Sequence, residues 1–312
     1  MPDHEAAAPS QKASVLIRYL DRVSQDLLTP DQGPRLDFSK PASEDALTPA
    51  GSLSWRVFRN PISLYIGGVT AVLMELAEPR VRSGVWDHSS FRTDPMSRMK
   101  RTGLAAMVTV YGAQSEARRM IDAVVALHGQ VSGVTPGGEA YSANDPELLD
   151  WVQATASFGF VEAYSAYVRP LSDADRNQFL IEAMPAARLY GAVGAPTSLA
   201  QRQVLFDAML PRLEASDIVF EFLGIMQKTK VFPPPFGALQ NLLVRAGVAL
   251  VPQPMRQKLG LGRAWDVSPW QHKLIAGLAR MSDRLILPSS PPVQACRRLG
   301  LDPNAVFSNS DH

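Results

Sequence analysis

The stretch DPMSRMKRTGLAAMVTVYGAQSEARRMIDAVVALHGQV, residues 94–131, decides the fold class. It opens on Asp94-Pro95, a capping side chain followed by a proline whose missing N–H costs nothing in a first helical turn. Apolar residues then recur at three- and four-residue steps as far as Gly112, and Ser115 begins a second segment. There Ile121, Val124, Val125, His128 and Val131 fall at i, i+3, i+4, i+7 and i+10. That is one inward stripe of a helix, expected to close at Gly133. Two helices in succession, with almost no period-two alternation anywhere, predict an all-α chain.

The pattern extends in both directions. Leu16, Tyr19, Leu20, Val23 and Leu27 mark an opening helix that ends before Pro30, and residues 30–54 form an irregular arm rich in Pro, Ser, Asp and Gly. A helix follows Asn60-Pro61 and is expected to run through Leu73 and Met74 to Glu78, where Pro79 stops it. Gly67-Gly68 inside it costs about 1 kcal/mol per glycine against alanine, so a close approach is expected there. Asp145-Pro146 repeats the cap-plus-proline signal and opens a long helix carrying Leu149, Val152, Phe158, Phe160, Tyr164 and Tyr167. Ser172 starts another, expected to kink at Pro185. Further helices are expected at 198–210, 215–229, 236–248 and 268–281, with Pro233-Pro234-Pro235 as a rigid connector. No internal repeat or composition break divides the chain. We read a single large helical domain, residues 55–283, preceded by a helix and arm over 1–54 and followed by a packed tail over 284–312.

Composition excludes several classes. The 312 residues are 46% hydrophobic and 20% charged with a net charge of +1, so nothing resembles a basic nucleic-acid footprint. One cysteine, Cys296, leaves no intramolecular disulfide and no cysteine-held cluster. The opening Met1-Pro2-Asp3-His4-Glu5 is acidic where a signal peptide is basic, and the longest apolar run, Ile62 to Leu76, is too short to span a bilayer. A cytoplasmic protein without a transmembrane segment is expected, transient membrane-surface contact staying open. Phosphate-loop, nucleophile-elbow, His-Glu-x-x-His and Glu-x-x-His patterns are all missing.

Histidine is therefore the scarce reagent. His4 and His312 lie in the termini, and His272 sits off the stripe Trp270, Leu274, Ile275, Leu278. His88 and His128 remain as interior candidates for a metal. Most histidines placed like His128 are core residues bonded to a carbonyl. A single helix-borne histidine is also what a haem iron requires, because the porphyrin fills the four equatorial positions. Arg98, Arg101 and Thr102, at i, i+3 and i+4, make either a solvated basic face with Lys100 or a clamp for haem propionates or bound oxygen.

These residues fall in a recognisable order. Gly84-Val85-Trp86-Asp87-His88-Ser89-Ser90-Phe91, then Asp94-Pro95 and Arg98 to Thr102, precede His128 and Gly133, and Tyr141-Ser142-Ala143-Asn144-Asp145-Pro146-Glu147-Leu148-Leu149-Asp150-Trp151-Val152 follows. The series resembles the rubber oxygenase (latex clearing protein) and MpaB-type oxygenase family, most clearly from about Trp55 to Pro196. The resemblance implies an all-α, globin-like fold with haem b and dioxygen-dependent cleavage of a carbon–carbon double bond in an isoprenoid or other apolar alkene. It implies His128 as proximal iron ligand, with His88 the runner-up. It implies Arg98 and Thr102 as the polar pair beside the haem and places Arg101 and Tyr141 at the cofactor.

Three departures stand out. Arg101 occupies the position where rubber-cleaving relatives carry a lysine that ligates iron in a closed state, and arginine cannot shed its proton to do so. Glu78-Pro79 replaces His-Pro, and Trp151-Val152-Gln153 replaces Trp-Val-His. Rubber-cleaving relatives are exported, so a substrate other than polymeric rubber is expected. Two other readings stay open on the residues alone: a haem-binding sensor or carrier without turnover, and a haem-free helical lipid-binding protein.

Overall fold

Asn60 sets how the chain enters its core. Its side chain accepts from the Ser63 N–H (3.0 Å) and donates to the Ala279 carbonyl (2.8 Å), which caps α3 (Pro61–Glu75) and anchors it to α13 (Pro269–Asp283). The structure is a computed structural model describing residues 11–29, 36–231 and 237–308. His4, His312 and Pro233-Pro234-Pro235 lie outside those residues.

The centre of the molecule is α3 laid against α7 (Pro146–Tyr167). A Cβ on Gly67 would sit 2.7 Å from the Gly159 carbonyl oxygen, and one on Gly159 would sit 2.3 Å from that of Gly67. Only glycine opposite glycine lets these backbones touch. The expected close approach is thus present at Gly67, whereas Gly68 has nothing within 4 Å. A third helix, α11 (Gly237–Leu250), crosses the same element: Thr70 donates to the Gly247 carbonyl at 2.9 Å, and Gly247 leaves no room beside Val69. Covered on several sides, α3 needs no polar face, which is why its sequence is nearly all apolar.

Around this centre run α1 (Gln11–Leu28), α2 (Leu53–Arg59), α4 (Pro79–His88), α5 (Pro95–Tyr111) and α6 (Gln114–His128). After α7 come α8 (Asp173–Tyr190), α9 (Leu199–Met209), α10 (Asp217–Lys228) and α12 (Gln253–Lys258). The chain closes with α14 (Pro291–Arg298) and α15 (Pro303–Ser308). The only sheet among the described residues is a hairpin of β1 (Ser132–Val134) and β2 (Ala140–Ser142), paired Ser132↔Ser142, Gly133↔Tyr141 and Val134↔Ala140. The protein is all-α, as expected.

Several boundaries differ from the sequence reading. The helix anticipated through Glu78 stops at Glu75, and Glu78 caps a new one, accepting from the Val81 N–H at 2.8 Å with Pro79 in its first turn. The helix anticipated to reach Gly133 ends at His128, and Val131 leads into the hairpin. Ser115 does not cap α6; its hydroxyl donates to Glu44 (2.9 Å) and Ala113 holds the cap position. Pro185, where a kink is expected, lies inside α8. On α13 the buried residues are Ile275, Ala276 and Ala279, while Trp270 and Leu274 are 64% and 46% exposed. The stripe lies one step round the helix from where Trp270 and Leu274 suggested.

A separate hydrophobic cluster joins Phe38, Trp55, Tyr111 and Cys296. Arg298 clasps it, donating to the carbonyls of Glu44 and Phe38, both at 2.8 Å. Among the described residues no single helix is long and apolar enough to cross a membrane; α2 and α3 reach that length only together and meet at 95°.

Candidate functional site

The site is built from four helices, with Glu75 and His128 at the ends of α3 and α6. α5 starts where Asp94 accepts from the Ser97 N–H (3.2 Å), and the short Gly112-Ala113 connection turns α6 back against it. Arg98, Arg101 and Thr102 share one face of α5. Arg98 donates to the Thr102 hydroxyl, and that hydroxyl donates to the Arg98 carbonyl at 2.9 Å. Arg101 is drawn away from this pair, donating to Ser90 at 2.8 Å.

Opposite Arg98 stands Glu75, the last residue of α3. Burial pushes its carboxyl up to about 7, against the pull of the Arg98 charge and the Thr155 hydroxyl from α7. Burial likewise presses Arg98 below the usual guanidinium range, with Glu75 pushing back and Arg101 adding to the fall. Glu75 and Arg98 nevertheless keep some accessible surface. Strong desolvation together with residual access is what residues lining an interior cleft show.

His128, in the last turn of α6, meets the same cluster. Burial and then the Arg98 charge lower its pKa, so the imidazole is neutral at physiological pH. Its Nδ1 is buried without a partner, and no hydrogen bond reaches the ring among the described residues. The reading of His128 as a core histidine satisfied by a carbonyl therefore finds no support in the geometry.

Glu75, Arg98, Thr102, Thr155 and His128 thus converge, while Arg101 lies at the margin. His88 and Tyr141 form a different pair: His88 Nε2 lies 3.2 Å from the Tyr141 hydroxyl, on the exposed end of α4. The Tyr141 ring fills the space beneath Gly133, where a Cβ would come within 2.7 Å of its hydroxyl. Burial, then the Asp87 charge, raises the Tyr141 pKa. The N-terminus of α5 beyond His88 is capped by Asp94.

Two departures from the family pattern find structural explanations. Glu78 caps α4 and holds Arg80 at 2.7 Å; Arg80 also reaches Glu139, Asp145 and Glu147, binding the hairpin to α4 and α7. Gln153 donates to Ser157 along α7 at 3.1 Å. The aromatic residues of α7 and the Gly67 stretch pack into the core. Phe160 packs on Phe58 at 4.8 Å, Phe158 packs on Phe206, Tyr164 is buried in the core, and Gly67 is closed by Gly159.

Sequence reasoning missed Glu75 and Thr155. Glu75 was visible only as the charge that ends the apolar run of α3, and Thr155 falls on the inward face of α7 one turn after Trp151.

Comparison with known proteins gives the scaffold its kinship. Uncharacterized proteins of Mycobacterium bovis and of Mycobacterium tuberculosis are each 33% identical over 107 residues, 33% of this chain and 42% of theirs. The match thus spans about two-fifths of those relatives. No solved structure matches significantly. A family model does, described as the catalytic domain of ER-bound oxygenase mpaB/B' and rubber oxygenase, over residues 55–282. That span contains every residue of the convergent cluster, and the chain belongs to the mpaB/rubber oxygenase catalytic-domain family.

Proposed function

We propose that the protein is a haem b-dependent oxygenase that cleaves a carbon–carbon double bond of an apolar alkene, isoprenoid in character, with His128 as the iron ligand. The observation that carries this reading is the His128 imidazole: carried on a helix end, its Nδ1 buried without a hydrogen-bond partner, and held toward its neutral form by burial and the Arg98 charge. These residues fit the group. Neutral imidazole is the form that ligates. Among the described residues no three carboxylate, histidine or cysteine side chains gather to hold a bare metal ion, so a cofactor bringing its own four equatorial nitrogens suits a single histidine.

Bound haem would supply the iron centre at which dioxygen is activated. The overall reaction balances without an external reductant: the C=C bond breaks, and the two atoms of one O2 end in two carbonyl groups. The chain's own groups would do the rest. Arg98 and Thr102 offer directed donors for negative charge, from a propionate or from reduced oxygen. Glu75 holds or releases a proton at its carboxyl oxygens near neutral pH, as a residue titrating at about 7 can. Arg101, fixed to Ser90 and permanently charged, would not serve as a lysine-type ligand. Tyr141 would act indirectly, shaping the hairpin after α6.

The test is the absorption spectrum of protein expressed with haem supply, beside His128→Ala and His88→Ala. A Soret band lost in His128→Ala and kept in His88→Ala is expected; a band unchanged in His128→Ala would refute the assignment. Oxygen uptake with terpenoid alkenes, accompanied by carbonyl products, separates an oxygenase from a haem carrier. Absence of any Soret band favours the haem-free lipid-binding alternative.

A further inference from the structure

We infer that Asn144 is the acceptor that fixes the His128 imidazole, a positioning residue for the ligand assigned above, and the inference rests on that assignment. Asn144 follows the hairpin, two residues before α7 begins. Its Nδ2 donates to the Val125 carbonyl at 3.1 Å and lies 3.6 Å from where a Cβ of Gly129 would be. The amide is thereby pinned to the last turn of α6, beside the residue that follows His128. With Nδ2 turned to Val125, Oδ1 is the amide's acceptor, and it is buried without a donor.

His128 presents the complementary defect. Its Nδ1 is buried and unpartnered in the same turn of the same helix. An imidazole that ligates through Nε2 must carry its hydrogen on Nδ1, where it is a donor in want of an acceptor. Buried polar groups are rarely left unpaired, so one orphaned donor and one orphaned acceptor held at one helix end make a pair that side-chain rotation would close. Closing it would select the tautomer with the lone pair on Nε2 and fix the plane of the ring. Arg80 supports the arrangement from below, since its contacts with Glu78, Glu139, Asp145 and Glu147 hold the segment that delivers Asn144.

The rival acceptor is the Val124 carbonyl, four residues before His128 on α6. Two measurements decide between them. In haem-free protein, the nitrogen-15 NMR signals of His128 should show one dominant Nδ1–H tautomer in the wild type and a mixture in Asn144→Leu. In ferrous haem-loaded protein, the iron–imidazole stretching band seen by resonance Raman should fall in frequency in Asn144→Leu and rise in Asn144→Asp, where the acceptor becomes charged. A merely structural role for Asn144 would lower melting temperature without moving either signal. An unchanged tautomer and band in Asn144→Leu would overturn the inference and favour Val124. If the wild type takes up no haem, the function proposed above fails, and the tautomer measurement still decides the pairing.

Discussion

Glu75 is a carboxyl placed where its charge is expensive. In an unfolded chain it titrates near 4.5, whereas in the cluster it keeps its proton to about 7. Between those values the unfolded state releases a proton that the folded state retains. The stability tied to this group is therefore fully present below about 4.5 and is lost as pH rises through about 7. Replacing it by glutamine removes the titration. Wild type should lose stability relative to Glu75→Gln, by on the order of 3 kcal/mol, as pH is raised across that window, read from urea midpoints. Parallel pH profiles would show that Glu75 titrates normally. At this scale helical spacing made Arg98, Thr102 and His128 candidates on stripes of their own helices, and the family resemblance chose between their readings. Glu75 and Thr155 join them only through the packing of α3 on α7, which no local period encodes.

Helices announce themselves by their caps more than by their interiors. Asp94-Pro95, Asp145-Pro146 and Ser172 each start a helix where the sequence placed one. Among the elements overlooked, α2 and α4 have physical reasons for silence. α2 is only seven residues long. α4 turns Arg80 and Arg82 inward beside Val81 and Trp86, so its buried face is partly charged and shows no apolar period. The α3–α7 contact gives a sharp prediction. Gly159→Ala forces a methyl group onto the Gly67 carbonyl and should cost about 3 kcal/mol, the upper end for overpacking. Gly68→Ala, in the neighbouring position with open space, should be neutral or stabilise by up to about 1 kcal/mol. Equal effects of the two substitutions in thermal denaturation would mean that the helices do not touch where the glycines meet.

At the scale of the molecule, the irregular arm is held by the far end of the chain. Beyond the Arg298 clasp, the Ser43 N–H donates to the Arg298 carbonyl (2.8 Å), and Gln294 accepts from Phe38 N–H (3.1 Å). Arg298 is 3% exposed, so Arg298→Ala leaves the carbonyls of Phe38 and Glu44 without their donor. A loss of about 2–4 kcal/mol is expected, measured by urea unfolding. None of this was legible from local pattern, because the partners stand 254 and 260 residues apart.

That separation has a kinetic meaning. Contacts between such distant segments close a loop whose entropy cost is prohibitive while the intervening chain is open, and modest once the helices between have condensed. The arm and the tail should therefore meet last on refolding and part first under stress. Cys296, fully buried beneath that seam, makes the event observable. A thiol reagent pulsed during refolding should keep reacting with Cys296 after helical circular dichroism has recovered, so that the chain's single sulfhydryl serves as its own stopwatch for closure.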